Sequence, residues 1–419
     1  MKKFFKLVIT KLLAFRAKQI LKKNHVQVIA VTGSVGKTTT KEAMFAVVDS
    51  KFNARTGTSG FNTELGVALT ILQEPHSGFS SPIEWLKILK RAFTEKKPKF
   101  QKVVLEMGAD TKGDIHRLVK LASPHIGVIT NVNPVHLGEG QFKDIYEIAA
   151  EKNNLIRFMT PHDTAILNAD DKLVMAMETK AKKITYGVAP EADLRAENIH
   201  SGAKELKYTV HYKDKMAEVA VPVLGAYQIY TTLPAIAVGL ALGMTLEKSI
   251  EGLKHFKMPA GRMNPIEGVN DSIIIDSSYN ASPTAVAEAF NVLHELKSPR
   301  KIVALGTMNE LGALSKEAHL QAGHQAAQVA QVLIFIGPEA STMKQGALEA
   351  GFDEKAIFTF LDSEEAGHFL KGQLQPKDLV LAKGSQNKVR LEKLVKIIMA
   401  EPQKAKELLC RQEEAWKKI

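Results

Sequence analysis

The apolar positions of this chain change period several times, and the changes mark its elements. At the amino terminus Phe4, Phe5, Val8, Leu12 and Phe15 recur near helical spacing with lysines between them, which predicts a basic amphipathic helix over residues 1–24. Val26–Thr32 (VQVIAVT) then runs apolar and β-branched, as a buried parallel strand does. Helical sequence follows over Lys41–Ser50. From there strand-like and helix-like runs take turns: Lys102–Glu106 before Asp114–Ala122, Ile126–Asn131 before Phe142–Met159, then Thr164–Asn168. That rhythm predicts an α/β fold with a parallel sheet. Residues 191–223 alternate apolar and polar positions instead, and predict a small antiparallel subsheet appended to the main sheet. Helical patterns return over Ala226–Leu242 and Leu246–His255.

Met258-Pro259-Ala260-Gly261 breaks the pattern, and a second α/β rhythm begins beyond it. Its strands are expected at Ser272–Asp276, Lys301–Gly306, Val332–Gly337, Ile357–Phe360 and Asp378–Lys383. The charged stretch Gln403–Ile419 reads as a closing amphipathic helix. The expected organisation is therefore a helix at 1–24, a parallel-sheet unit at 25–258, a Rossmann-like α/β unit at 259–400 and a helix at 401–419. With 419 residues, each sheet unit can bury a core of its own.

Composition narrows this in two places. The single cysteine, Cys410, excludes an intramolecular disulfide and any multi-cysteine metal site, and fits a reducing compartment such as the cytoplasm. The formal charge is +11, and residues 1–23 carry eight of those charges with no Asp or Glu. The rest is only mildly basic, which argues against a nucleic-acid partner. A signal peptide fits the first segment poorly, because Lys6 and Lys11 break its apolar run and no small-residue cleavage site follows. Two readings of that helix stand: packed on the body with its lysines in water, or lying on the anionic inner face of a membrane.

The chemistry gathers at strand ends. Thr32-Gly33-Ser34-Val35-Gly36-Lys37-Thr38-Thr39-Thr40 follows a strand and opens a helix. Glycines there let backbone N–H groups approach phosphate oxygens, Lys37 supplies a point charge, and the Thr38 hydroxyl can ligate Mg²⁺. Glu106, at the end of the next strand, suits a Mg²⁺ ligand. His136, in Asn131-Val132-Asn133-Pro134-Val135-His136, would lie at the same sheet edge, placed for metal or phosphate. Lys152 reads from chemistry alone as a solvated helical lysine. Arg262, at the unit boundary, reads as a linker arginine or as one reaching across a cleft to a phosphate. Asp276 to Pro283, Gly306 to Gly312 and Lys383-Gly384-Ser385 are polar loops along one edge of the second sheet.

In this order the set resembles the Mur ligase family, most closely its branch that adds D-alanyl-D-alanine to a muramoyl tripeptide. The resemblance rests on TGSVGKTTTK at 32–41, TSGFNTELGVALTIL at 58–72, LEMGAD at 105–110, NVNPVHL at 131–137 and LNADD at 167–171. GRMNPIEG at 261–268, IDSSYNASP at 275–283, GTMNELG at 306–312 and LAKGS at 381–385 complete it. It implies ATP and Mg²⁺ as cofactors, and amide formation through an acyl phosphate in peptidoglycan precursor synthesis. It implies catalytic roles for Lys37, Lys152, His136 and Arg262. It places nucleotide contacts at Gly33, Ser34, Gly36, Lys37, Thr38, Thr39, Asp276 and Asn280. Metal contacts fall on Thr38, Glu106, His136 and Lys152, the last by carbamylation. Substrate contacts fall on Asn309, Glu310, Lys383 and Ser385.

The chain departs from the family at several points. The family's usual N-terminal UDP-binding domain is expected to be lacking, since only the basic helix precedes the first strand. Tyr227-Gln228 stand for a usual His-Asn, Ser277 and Thr307 for usual aspartates, and Gln386 for a common arginine. A ligase of the same chemistry acting on a lipid-linked, folate-like or poly-amino-acid carboxylate is therefore an alternative, as is a non-catalytic nucleotide-binding protein. The intact Lys37, Thr38, Glu106, His136, Lys152 and Arg262 argue against the last.

Overall fold

The computed structural model describes residues 2–58, 60–74, 82–94, 98–134, 137, 140–385, 389–413 and 416. Two sheets organise them. Strands β1 (Gln27–Thr32), β2 (Ala54–Thr56), β3 (Lys102–Glu106), β4 (Ile126–Ile129), β5 (Thr164–Asn168), β6 (Lys182–Gly187), β7 (Leu194–Ser201), β8 (Leu206–Tyr212) and β9 (Lys215–Val221) form the first. Their order is β2-β3-β1-β4-β5-β6-β7-β8-β9, parallel through β7 and antiparallel for β7–β8–β9. The antiparallel subsheet expected at 191–223 is thus present, hydrogen-bonded on as an extension.

β1 shows why its sequence is apolar without a break. Val28 and Ala30 enter one core, Ile29 and Val31 the other. Successive side chains of a strand point to opposite faces, so a strand covered on both faces needs apolar residues at every position. Helices α1 (Lys2–Lys23), α3 (Glu64–Ile71), α4 (Pro82–Thr94), α5 (Asp114–Leu121) and α6 (Ile145–Asn153) cover the first face. α2 (Lys37–Asp49), α8 (Ile229–Ala241) and α9 (Leu246–Leu253) cover the second, and α7 (Lys172–Met175) follows β5.

The second sheet comprises β10 (Asn264–Gly268), β11 (Ser272–Ser277), β12 (Lys301–Gly306), β13 (Val332–Ile336), β14 (Ile357–Phe360) and β15 (Leu379–Lys383), in the order β10-β11-β15-β12-β13-β14. It too is two-sided: Val303 and Leu305 face one core, Ile302 and Ala304 the other. Only β10 is antiparallel, at the edge. Pro265 is tolerated there because an edge strand can spare a ladder donor.

The carboxyl terminus differs from expectation. A short helical turn at Pro402–Lys404 and the helix Ala405–Leu408 end at Leu409, which is extended, and Arg411 adopts a left-handed φ of 57°. Residues 409–413 form a strap instead of a continuing helix. The reason is tertiary: the Arg411 guanidinium donates to the carbonyls of Ser278 (3.2 Å) and Tyr279 and to Glu392 Oε2 (3.3 Å). A helix continued through 411 would give up those charge-assisted bonds.

Candidate active site

In the first sheet the chain runs from β1 to β2 and β3 on one side, then crosses to β4 on the other. Loops after β1 and β4 therefore diverge around a switch point, where open parallel sheets place ligands. The loop after β1 ends at Gly36, whose φ of 83° is left-handed and which caps α2. Gly33 lies against Thr130, and a Cβ there would collide with the Thr130 hydroxyl. The loop after β4 holds this one in shape. Asn131 Oδ1 accepts from Val35 N (2.8 Å), Ser34 N donates to Asn131 O (2.9 Å), and Asn133 N donates to Ser34 Oγ (2.8 Å). Asp171, the cap of α7, accepts from Val132 N (2.7 Å) and fixes the second loop in turn.

Lys37 folds back over the loop and donates to Gly33 O (2.8 Å) and Ser34 O (3.0 Å). Burial pushes its ammonium below the ordinary lysine value, Glu106 pulls the other way, and Arg262 adds to the lowering. Beside it Thr38 Oγ1 donates to Glu106 Oε2 (2.8 Å), while Glu106 Oε1 accepts from Asn62 Nδ2 (3.2 Å). Arg262 comes from the second unit and donates through Nη2 to Thr38 Oγ1 (3.0 Å). Its guanidinium lies over the Tyr279 ring at 4.2 Å, and its Nε is buried with no hydrogen-bond partner. Arg262 thus extends from the second unit to the phosphate-type loop of the first.

The second sheet delivers its three polar loops from adjacent strands. Ser385 Oγ accepts from Asn309 N (3.0 Å) and donates to Ala281 O (3.2 Å), tying all three together. Lys383 Nζ donates to Ser277 Oγ and Asn280 O, both at 3.1 Å, and burial followed by the Arg262 charge pushes it down to about 7. The two sheets enclose a cleft of about 2060 Å³. Ser34, Gly36, Lys37, Thr38, Thr39, Glu106, Arg262, Asn280, Asn309, Glu310 and Lys383 line it, whereas Gly33, Lys152, Asp276 and Ser385 lie behind its wall.

Two expectations change on this geometry. Asp276 does not reach the cleft. It is fully buried, its Oδ1 accepts from Ser278 N (3.0 Å), and its Oδ2 has no partner. Its part in the site is to shape the turn that carries Tyr279 and Asn280. Lys152 is not solvated: only 2% is exposed, and burial, then the Lys37 charge, hold it well below the ordinary lysine value. Its neighbour Glu151 caps α5 through Gly113 N (2.8 Å) and Ile115 N (2.7 Å). His136 and Gln386 lie outside the described residues.

Asp276 also sets a pH dependence. Burial raises it from 3.8 to about 6. Between those values the folded chain holds a proton that the unfolded chain has lost, so this group's contribution to stability falls as pH rises through that window. Denaturation midpoints measured across it should decline in the parent protein and stay level in Asp276→Asn; parallel curves would remove this role.

Several residues in the site carry no sequence signal of their own. Lys41 is buried and donates to Gly57 O, anchoring the loop that reaches Asn62. His319 accepts from Met308 N (2.8 Å) and bonds Ser315 O through Nδ1 (2.7 Å), positioning the 306–312 loop. Arg411 and Trp416 complete the wall from the strap. Of these, only Lys41 stood within a recognisable motif.

Residues 31–239 match the Mur ligase middle domain, and residues 261–386 match the Mur ligase glutamate ligase domain. The UDP-N-acetylmuramoyl-tripeptide–D-alanyl-D-alanine ligase of Bacillus subtilis is 27% identical over 390 residues, which are 92% of this chain and 79% of that protein. Among solved structures, MurF from Acinetobacter baumannii superposes with a TM-score of 0.77 at 26% identity, over 93% of this chain and 79% of that one. MurF from Thermotoga maritima in complex with ADP gives a TM-score of 0.77 at 25% identity, over 95% of this chain and 84% of that one. On its loops, its two sheets and these matches, the chain belongs to the Mur ligase family.

Proposed function

We propose that this protein is an ATP-dependent amide ligase that joins D-alanyl-D-alanine to a muramoyl-peptide carboxylate. The observation that carries the reading is the contact between the two units. Arg262 of one reaches Thr38 of the other, beside Lys37 and Glu106. Cations converging from two sides on one point suit a phosphoryl group in transfer, whose charge is spread over its oxygens.

The residues fit the nucleotide. The glycine loop presents backbone donors, and Lys37 now bonds carbonyls that a phosphate would replace. On the cleft wall, Gln228 Oε1 is buried with no partner, an acceptor suited to an amino group of the base. Thr38 Oγ1 and Glu106 Oε2 are hard oxygens already 2.8 Å apart, the donor type that Mg²⁺ takes together with phosphate and water. Bound there, the metal would neutralise phosphate charge. Burial holds Lys152 toward its neutral amine, the form that adds carbon dioxide, which suits carbamylation.

The reaction balances in two steps. A carboxylate oxygen attacks the γ-phosphorus of ATP, and ADP leaves with the bridging oxygen. The amine of the second substrate then attacks the acyl carbon; inorganic phosphate departs, the nitrogen loses a proton, and an amide remains. Asn309, Glu310 and Lys383 face the cleft from the second unit and are assigned to the incoming amine substrate, and Asn280, which also lines the cleft, to the nucleotide. Purified protein should release ADP over repeated turnovers only when the muramoyl tripeptide and D-alanyl-D-alanine are both present. Turnover with a different carboxylate and none with this pair would overturn the assignment and leave the chemistry standing.

A further inference from the structure

We propose that α1 and α4 together form a face that docks on an anionic lipid bilayer. The inference does not rest on the ligase reading. It starts from the two apolar arcs of α1. Ile9, Leu13, Ala17 and Ile20 are buried against α3 and its neighbours. The stripe legible in the sequence is a different one: Phe5 (41%), Val8 (40%), Leu12 (43%) and Phe15 (58%) are exposed. A helix needs one apolar arc to pack on a globular body. This one keeps a second arc in solvent.

The adjoining α4 repeats the arrangement. Trp85, Ile88 and Ala92 are buried, whereas Ile83 (64%), Leu86 (60%) and Phe93 (49%) are exposed. Arg16 joins the helices: its Nε donates to Ala92 O (2.9 Å), and its guanidinium lies 5.7 Å from the Phe93 ring centre. The two exposed stripes therefore share one face. Eight of the seventeen exposed large hydrophobics among the described residues lie on these two helices. That concentration separates a docking face from ordinary scattered exposure.

Charge selects the occupant. The exposed lysines interleaved with these residues are Lys6, Lys11, Lys18, Lys22 and Lys23 on α1 and Lys87 and Lys90 on α4. The neighbouring carboxylates Glu64 and Glu74 are paired with Lys11 (3.0 Å) and Arg91, and Glu84 in the first turn of α4 is half-buried. Apolar side chains bordered by an excess of lysines over carboxylates suit acyl chains beneath anionic headgroups, with the helices lying in the interface. Among the described residues no helix is long and apolar enough to cross a membrane, so the contact is peripheral. Glu64 also lines the cleft, so the face abuts its mouth.

The test is co-sedimentation of the full chain with vesicles of phosphatidylcholine alone and of phosphatidylcholine mixed with phosphatidylglycerol. The parent protein should pellet with the mixed vesicles only, and added salt should release it. The triple variant Leu12→Gln, Phe15→Gln, Leu86→Gln changes exposed residues that do not line the cleft. It should keep the parent's circular dichroism while its affinity for mixed vesicles falls by at least about tenfold. Parent protein that stays in the supernatant, or a variant that pellets equally, overturns the proposal. So does sedimentation velocity showing a dimer that the triple variant disperses, which would assign the face to a second copy.

Discussion

Lys37→Met is expected to lower ATP-dependent turnover by about 10²–10³-fold while leaving the thermal midpoint unchanged or higher. The activity half follows from position. Lys37 is the cation that bonds the loop carbonyls of Gly33 and Ser34. The stability half follows from burial, which lowers the lysine's proton affinity and shows that the folded protein bears a cost for holding the charge there. Removing the ammonium removes that cost with the function, as at other sites where activity is held against stability. Lys37→Arg should not restore turnover, because a planar fork on a longer stem cannot occupy the place of a compact ammonium. Steady-state ADP release and a thermal melt on the same preparations decide it. A Met variant that melts far below the parent would show that Lys37 holds the loop together and is not a stored functional charge.

What the sequence made legible depends on how local the cause is. β1 and the loop after it could be read because each face of that strand answers to its own core, and the turn must approach a neighbour closely at Gly33. β2 could not: three half-buried residues, Ala54–Thr56, are a strand only because β3 supplies the pairing. β10 was hidden by Pro265. Among site residues, those at strand ends were found, since parallel topology sends all such ends to one edge. Asp276 was placed correctly in the fold but given the wrong surface, because one residue along a strand exchanges the cleft for the core. Lys152 looked solvated because helical spacing does not reveal what covers a face; α5, capped by Glu151, lies beside it. The amphipathic stripe of α1 was seen, but the arc that packs on the body, Ile9 to Ile20, was not the arc that the lysines outlined. Arg411 had no pattern at all, since its partners Ser278, Tyr279 and Glu392 come from elsewhere in the chain.

That last residue supports the second large effect. Glu392 is fully buried between two guanidinium groups, accepting from Arg390 Nε at 2.8 Å and Arg411 Nη1 at 3.3 Å. Glu392→Gln would strand two buried cations and should cost about 3–5 kcal/mol of stability. The same step should loosen Arg411, whose guanidinium grips the Tyr279 carbonyl and lies 4.9 Å from the centre of the ring that Arg262 also contacts. Arg262 in turn meets Thr38. Turnover should therefore fall although no altered atom lines the phosphate loop. Stability and position can be separated by the triple variant Arg390→Met, Glu392→Met, Arg411→Met. Replacing a whole buried charge cluster with apolar side chains is often neutral or stabilising, because the desolvation cost disappears with the ions. The triple variant should therefore regain most of the stability that Glu392→Gln loses and still turn over slowly, with kcat reduced more than the KM for ATP is raised. Recovery of both properties together would mean that Arg411 serves the fold alone. Recovery of stability without turnover would place the cluster in the line of contacts Arg411–Tyr279–Arg262–Thr38, by which the carboxyl-terminal strap sets the arginine that crosses the cleft.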